Sequence, residues 1–148
     1  SGDYFLIDSA GGFFVKRRSE PEAIPFAGKV EGAEFTRQGD KLLFWSGSGA
    51  EVLWLEEEPH QPFRKAGERE RVLSLGDQVF EMVSWLGPLE ENVIFKAGSF
   101  VGIVDIDNRG GGPATTLLFD NADGSVKYQR ETAQILRASK SFLFASRI

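Results

Sequence analysis

The chain has 148 residues, 41% of them hydrophobic and 12% aromatic, and 17 basic against 22 acidic residues give a formal net charge of -5. A chain of this length forms one domain that buries about 68–70% of its unfolded surface, and the absence of cysteine excludes disulfides, thiolate metal sites and a cysteine nucleophile. The acidic balance argues against a nucleic-acid partner, and no apolar run reaches the roughly 18 residues that cross a bilayer, so we expect a soluble protein whose compartment the sequence does not indicate.

Short runs of aromatic and β-branched residues, separated by glycine, proline and Asp or Asn turns, predict an all-β chain. In chain order, the predicted strands are Tyr4–Asp8, Phe13–Arg17, Ala33–Arg37, Leu42–Ser46, Glu51–Leu55, Glu70–Leu75, Gln78–Trp85, Val93–Ala97, Val101–Ile106, Ala114–Phe119, Val126–Gln129 and Ser141–Ser146. A helix within Lys127–Ala138 is an alternative, because Tyr128, Ile135 and Leu136 recur at helical spacing.

Three segments of similar pattern indicate an internal repeat: "LLFWSG" at 42–47, "VIFKAG" at 93–98 and "FLFASR" at 142–147. We predict a single all-β domain over 1–148 that is built from repeats 1–47, 48–98 and 99–148, each a four-stranded antiparallel sheet. A small sheet that is apolar on both faces is not stable alone and has to stack on neighbours. The segment 46–49 is then expected to be the hinge between the first two sheets, with the tryptophans beside it mainly packing.

The stretches "YFLIDSAGGFFVKR" and "AEFTRQGDKLLFWSGSG" resemble a blade of a β-propeller of the WD-repeat or TolB-like type. Blades of these families commonly run through an apolar strand ending in Asp, a Gly-Gly turn, a strand carrying Arg, and a Phe-x-x-x-Gly-Asp/Lys turn before another apolar strand. In this chain those places are held by Asp8, Gly11, Gly12, Arg17, Phe35, Gly39, Asp40 and 42–44. "VGIVDIDNRGGG" repeats the first half, whereas no Trp-Asp dipeptide is present. The resemblance implies a partial β-propeller stack.

Propellers close with about four to eight blades, so three units leave apolar end faces that something must cover. A second copy would cover them in a homodimer, and further blades would do so if the chain is an excerpt of a longer protein, which its start at Ser1-Gly2 allows. The alternative fold is a β-trefoil, in which three four-stranded units of this size close by themselves. The Gln-x-Trp motif of sugar-binding trefoils is absent.

Few residues suggest catalysis or metal binding. His60 is the only histidine and lies between two prolines, where a surface turn is expected to hold it poorly against a nucleophile. The metal candidates are carboxylates in two acidic, glycine-rich segments that do not complete a calcium loop, namely Asp105, Asp107, Asp120 and Asp123. Asx turns explain both segments without a metal, so we expect neither a metal nor a cofactor.

Two kinds of residue are candidates for binding a protein partner. The basic run Lys16, Arg17 and Arg18 and the acidic run 56–58 would orient a charged partner if they lie on one rim. Trp54 and Trp85 are expected in the core, or else as exposed anchors, because aromatic side chains dominate binding hot spots.

The sequence therefore favours a non-enzymatic protein-interaction module that binds a protein partner or assembles into a larger ring. A β-trefoil domain that binds a carbohydrate or a receptor is the alternative, and an enzyme that uses carboxylates alone is a third hypothesis.

Overall fold

The computed structural model describes residues 3–9, 12–27, 29–47, 49–60, 63–107, 115–119, 124–138 and 143–147. These residues form strands and no helix. The strands are β1 (Tyr4–Ser9), β2 (Gly12–Arg17), β3 (Ala23–Ala27), β4 (Gly32–Phe35), β5 (Lys41–Ser46), β6 (Gly49–Trp54), β7 (Arg69–Ser74), β8 (Phe80–Leu86), β9 (Asn92–Ala97), β10 (Phe100–Asp105), β11 (Thr115–Phe119), β12 (Ser125–Gln129), β13 (Gln134–Ala138) and β14 (Leu143–Arg147). Within the described ranges, no helix is long and apolar enough to span a membrane.

The strands form four sheets in which neighbours along the chain are neighbours in space. Their strand orders are β1-β2-β3, β4-β5-β6-β7, β11-β10-β9-β8 and β12-β13-β14. We call them the first, second, third and fourth sheets. The chain divides into two compact units, Ser1–Ser46 with Glu51–Glu70 and Gly47–Ala50 with Arg71–Ile148.

In the first unit, the first sheet packs one of its faces against the second sheet. Val15 of β2 is fully buried and shares a cluster with core residues of β5 and of the segment from β6 onward, which are Leu42, Phe44, Leu53 and Leu55. Tyr4, Leu6 and Phe13 pack on the same cluster. Because side chains alternate along a strand, these residues define the inner face of the first sheet.

Trp45 covers a glycine of the neighbouring strand. Gly32 of β4 lies opposite Trp45 of β5 in the antiparallel register, and a Cβ placed on Gly32 would overlap the indole ring. An aromatic side chain laid over a glycine shields the backbone of an edge strand. Trp45 thus serves packing within the second sheet.

A hydrogen-bonded turn joins β4 to β5. The Thr36 hydroxyl donates to Asp40 Oδ1 at 2.5 Å, Lys41 Nζ donates to Asp40 Oδ2 at 3.0 Å, and the Leu55 amide donates to the Asp40 carbonyl at 2.7 Å. Burial by itself raises the pKa of Asp40, but the hydrogen bonds from Thr36 and Lys41 outweigh it and the pKa lies below its ordinary value. This turn corresponds to the Phe-x-x-x-Gly-Asp stretch of the predicted blade.

In the second unit, the third and fourth sheets share a core. Ile94 of β9 and Val101 of β10 pack with Tyr128 of β12 and Ile135 of β13. Two bonds tie β12 to β8 and the turn after it: the Gly87 amide donates to the Tyr128 hydroxyl at 3.2 Å, and the Tyr128 amide lies 3.2 Å from Met82 Sδ. Face-to-face packing of sheets is therefore the stabilising arrangement in both units.

Charged groups are buried in this second unit only with partners. Lys96 of β9 is 4% exposed and forms an ion pair with Glu81, and its Nζ also donates to the Gly98 carbonyl at 3.0 Å. Arg130 forms an ion pair with the buried Glu90, which has a φ of +56°. Pairing offsets the cost of removing these charges from water.

Several local predictions were wrong. The helical alternative over 127–138 fails because β12 and β13 occupy that region. The predicted hinge at 46–49 does not separate two sheets, since β5 and β6, the strands on either side of it, are neighbours in the second sheet. The strands β3 and β13 were missed, and the described parts of the four sheets contain three, four, four and three strands, so the predicted number of strands in each repeat is approximate. The repeat bounds 1–47, 48–98 and 99–148 stay a prediction.

We expect Gly32→Ala to destabilise the first unit by about 1–3 kcal/mol, the usual cost of overpacking, because the added methyl overlaps the Trp45 ring. Urea unfolding followed by circular dichroism measures this loss. In the Trp45→Leu variant, adding Gly32→Ala should cost less stability than it costs in the parent chain, because the ring that the methyl overlaps is absent. Full additivity of the two substitutions would show that the ring does not occupy this position.

Candidate functional site

The basic run does not form one positive patch. Lys16 and Arg17 are consecutive in β2 and so lie on opposite faces of the first sheet. Lys16 lies opposite Phe5 in the register, away from the inner face. Arg18 is exposed just after the strand, and its amide donates to the Asp3 carbonyl at 2.6 Å. Of the three side chains, only that of Arg17 shares the face of Val15.

Arg17 joins the basic run to the acidic one. Its Nη2 lies 3.1 Å from Glu56 Oε1, its Nη1 lies 3.7 Å from Glu20 Oε1, and its guanidinium carbon lies 5.6 Å from the centre of the Tyr4 ring. Exposed ion pairs of this kind contribute roughly 0–1 kcal/mol each. The two charge runs thus meet through Arg17 and Glu56, which ties the first sheet to the segment after β6.

Tyr4 strengthens the same link and was missed by the sequence analysis. Its hydroxyl lies 3.1 Å from the Leu55 carbonyl and 2.9 Å from Glu56 Oε1, and it donates to one of them. Burial, followed by the hydrogen bond to Glu56, raises the pKa of Tyr4 from 10.0 to about 12. The Tyr4–Arg17–Glu56 cluster holds the end of the first sheet in a fixed position against Leu55 and Glu56. No local pattern in the sequence indicates a contact between residues 51 and 52 positions apart.

Both candidate tryptophans lie in the core. Trp54 is 2% exposed and Trp85 is fully buried. Arg64 stacks on the Trp54 ring, with its guanidinium carbon 5.1 Å from the ring centre, and pairs with Glu70 at 2.5 Å. The two indoles therefore have the packing role that the sequence analysis gave as their first alternative. Both rings are buried in the folded chain. Partner binding by these two residues stays a prediction.

The candidate metal ligands that the structure describes do not form a metal site. Among them, no three His, Cys, Asp or Glu side chains are placed to hold a metal ion. The Asp107 amide donates to Asp105 Oδ1 at 2.8 Å, as in an Asx turn, while Asp120 and Asp123 lie outside the described residues. The His60 side chain is 87% exposed, and its Nδ1 lies 3.2 Å from Glu58 Oε1.

The first sheet carries apolar side chains on both of its faces. The side chains that alternate with those of the inner face lie on the opposite side of the sheet. We call this side the outer face, and its residues are Phe5, Ile7, Phe14, Lys16 and Pro25. Phe5, the second residue of the edge strand β1, is 39% exposed. Ile7 lies opposite Phe14 and Phe14 opposite Pro25, so the apolar groups cross all three strands.

The first strand of the fourth sheet, β12, differs from β1 in the residues that face away from the core. There, Val126 and Tyr128 face the core that they share with Ile94, and the alternating positions hold Ser125, Lys127 and Gln129. These positions are polar, whereas the corresponding positions of β1 hold Phe5 and Ile7. The outer face of the first sheet is therefore the best candidate surface for covering by another apolar surface.

The comparison with solved structures finds a β-propeller domain. The β-propeller domain of Cps50 (Swd1) from Myceliophteria thermophila superposes with a TM-score of 0.61 and 13% sequence identity over 95% of this chain and 48% of that chain. A protein named as a 6-phosphogluconolactonase from Bacteroides uniformis ATCC 8492 gives a TM-score of 0.49 and 12% identity over 95% of this chain and 42% of that one. No family model and no curated protein matches the chain.

The fold is thus an all-β, antiparallel partial β-propeller, as the resemblance implied, and not the β-trefoil of the alternative. The chain spans about half the length of the propeller domain that it matches. At 13% sequence identity, the superposition shows a shared fold and says nothing about function.

Tyr4→Phe should change how stability depends on alkaline pH. Because the folded chain keeps the Tyr4 proton up to about pH 12 while the unfolded chain releases it near 10, Tyr4 favours folding below pH 10, and this contribution is lost as pH rises through the folded pKa. Tyr4→Phe removes that decline and loses about 1 kcal/mol of hydrogen bonding near pH 8.

Urea unfolding at a series of pH values between 8 and 11 measures both effects. The control Tyr128→Phe keeps Tyr4 and should keep its alkaline decline. An unchanged decline in Tyr4→Phe would show that the Tyr4 hydroxyl is not held as described.

Proposed function

We propose that the chain is a non-enzymatic protein-interaction module, a partial propeller that associates with a second copy of itself through the outer face of the first sheet and so extends the stack toward a ring. The observation that carries this proposal is an exposed apolar side chain on the outer face, although the inner face also has one, at Ile24 of the edge strand β3, which is 44% exposed. Val15 on the inner face is fully buried, while Phe5 on the outer face is 39% exposed. The same short strands present apolar groups to both sides.

The kind of surface that fits the outer face follows from the packing inside each unit. The inner face of the first sheet is covered by the second sheet through Leu42, Phe44 and Leu53. The third and fourth sheets cover each other through Ile94, Tyr128 and Ile135. Since each of these apolar faces is buried against another sheet, an apolar sheet face is the surface expected to cover Phe5, Ile7 and Phe14.

A second copy is a suitable source of that face. The chain aligns with 48% of a propeller domain, so two copies supply nearly the length of one such domain. A stable propeller requires a closed set of blades. Association of two copies brings the stack closer to that requirement, through a surface that the chain itself carries.

The polar groups support a binding role rather than catalysis. Among the described side chains, Tyr4, Arg17 and Glu56 form a polar cluster whose members contact one another. His60 is exposed beside Glu58, and no serine or threonine contact of its ring occurs among the described residues. The cluster therefore stabilises the position of the first sheet, and the apolar outer face supplies the binding surface.

Phe5→Glu tests the proposed association. Burying a phenylalanine is worth about 1.5–3 kcal/mol, so a carboxylate at this position should weaken the dimer at least about tenfold. Sedimentation velocity across a range of protein concentrations measures the dimer dissociation constant, and circular dichroism confirms that the variant keeps its strands. The matched control is Phe63→Glu, because Phe63 is 65% exposed and lies outside the outer face.

The expected result is a concentration-dependent dimer for the parent chain and for Phe63→Glu, and a monomer for Phe5→Glu. A parent chain that stays monomeric at the highest concentration, or equal weakening by both variants, would contradict the assignment of the outer face to a second copy.

A further inference from the structure

Met82 joins the third sheet to the fourth at their neighbouring edges. In the described strand orders, β8 is an edge strand of the third sheet and β12 is an edge strand of the fourth. Met82 of β8 is half-buried and packs on the core cluster of Ile94, Val101, Tyr128 and Ile135. Its thioether sulfur accepts a hydrogen bond from the Tyr128 amide at 3.2 Å. A backbone group at the edge of β12 therefore has a side chain of the neighbouring sheet as its acceptor.

The Met82 sulfur is also the only sulfur atom of the chain. The sequence contains one methionine and no cysteine, so no thiol competes with this thioether for an oxidant. Oxidation of methionine to its sulfoxide converts a flexible apolar side chain into a polar one and disrupts the cores in which it packs. Because Met82 is half-buried and not fully enclosed, a small oxidant can reach it in the folded chain.

We propose that Met82 is an oxidation site, and that conversion of its thioether to the sulfoxide by hydrogen peroxide loosens the attachment of the fourth sheet to the third. In this reaction a sulfur lone pair attacks one peroxide oxygen, so that a sulfur–oxygen bond forms and the oxygen–oxygen bond breaks. The attacked oxygen gives up its proton to the departing oxygen, which leaves as water. The sulfur is thereby oxidised by two electrons and the peroxide is reduced.

The loosening follows from a change of polarity at the sulfur. In the thioether, a sulfur lone pair accepts the Tyr128 amide. In the sulfoxide, the sulfur is the positive end of the sulfur–oxygen dipole and no longer serves as an acceptor. The amide then loses its partner, while a polar oxygen enters a cluster that contains Ile94 and Val101. Both changes disfavour the packed arrangement of the two sheets.

The same hydrogen bond determines the stereochemistry of the reaction. One lone pair of the Met82 sulfur accepts the Tyr128 amide, so the oxygen adds to the other lone pair and points away from that amide. The folded chain should therefore form mainly one sulfoxide epimer, whereas an unconstrained methionine forms both. Methionine sulfoxide reductases of two classes, each specific for one epimer, distinguish the products.

The test begins with peroxide treatment of the whole folded chain, removal of the peroxide, and hydrogen exchange followed by mass spectrometry. We expect fragments covering residues 125–129 to exchange about tenfold faster after oxidation, which corresponds to a loss of roughly 1.4 kcal/mol. Fragments covering 41–46 should exchange as before. The matched control is Met82→Leu, a volume-conserving change that removes the oxidisable sulfur, in which peroxide should leave the exchange of both fragments unchanged.

The epimer ratio is a second readout that needs no variant. The oxidised chain is digested, and the peptide that contains Met82 is treated with each of the two epimer-specific reductases. We expect one reductase to restore most of the methionine and the other to restore little. The same peptide oxidised only after digestion should be reduced in part by each enzyme.

Four results would overturn the proposal. They are resistance of Met82 to peroxide in the folded chain, unchanged exchange of 125–129 after oxidation, equal acceleration in Met82→Leu, or an epimer ratio equal to that of the peptide oxidised after digestion. Faster exchange of 125–129 that requires Met82, together with the formation of one epimer, supports oxidation at this contact.

Discussion

Burial of apolar groups on both faces of small antiparallel sheets is the constraint on which the rest of this structure depends. A three- or four-stranded sheet with consecutive apolar residues cannot keep both faces in water. In the first unit, the second sheet covers Val15 of the first sheet; in the second unit, β12 and β13 cover Ile94 and Val101. Each sheet contributes hydrogen bonds within its plane, and packing between sheets supplies the hydrophobic contribution to stability.

The same constraint explains why the outer face of the first sheet is a candidate binding surface. Once the second sheet covers the inner face of the first sheet, Phe5, Ile7 and Phe14 are left on the other side. Polar contacts fix this sheet in place, since Tyr4 and Arg17 both contact Glu56. The surface is consequently preorganised, which lowers the entropic cost of binding a second apolar face.

Much of the fold follows from the sequence because its signals are local. Glycine-rich turns and β-branched runs locate most strands, and the blade-like pattern around Asp8 and Asp40 predicts the propeller architecture that the superposition supports. The missed strands have local reasons. Pro25 argues against a strand, although an edge strand such as β3 tolerates it, and Ile135 and Leu136 repeat at a helical spacing from Tyr128 although they pair in β13.

The candidate site was harder to predict because its contacts are distant in sequence. A hairpin and a hinge have the same Ser-Gly composition, so residues 46–49 did not reveal that β5 and β6 belong to one sheet. Its charge makes Arg17 a candidate for partner binding, but its contact with Glu56 depends on how the sheets pack. The outer face had a detectable signal in the consecutive apolar residues of "YFLI", which predict a strand covered on both sides. The sequence does not say what covers it.

The most direct test of the central claim is native-state hydrogen exchange in Val15→Ala. This substitution truncates a side chain of the first sheet, at a site that packs on Leu42 and Phe44 of the second. If packing between the sheets stabilises both, the free energy of exchange should fall by a similar amount in β2 and in β5, by about 1–3 kcal/mol. A loss confined to β1–β3, with β5 protected as in the parent chain, would contradict the claim that the two sheets stabilise each other.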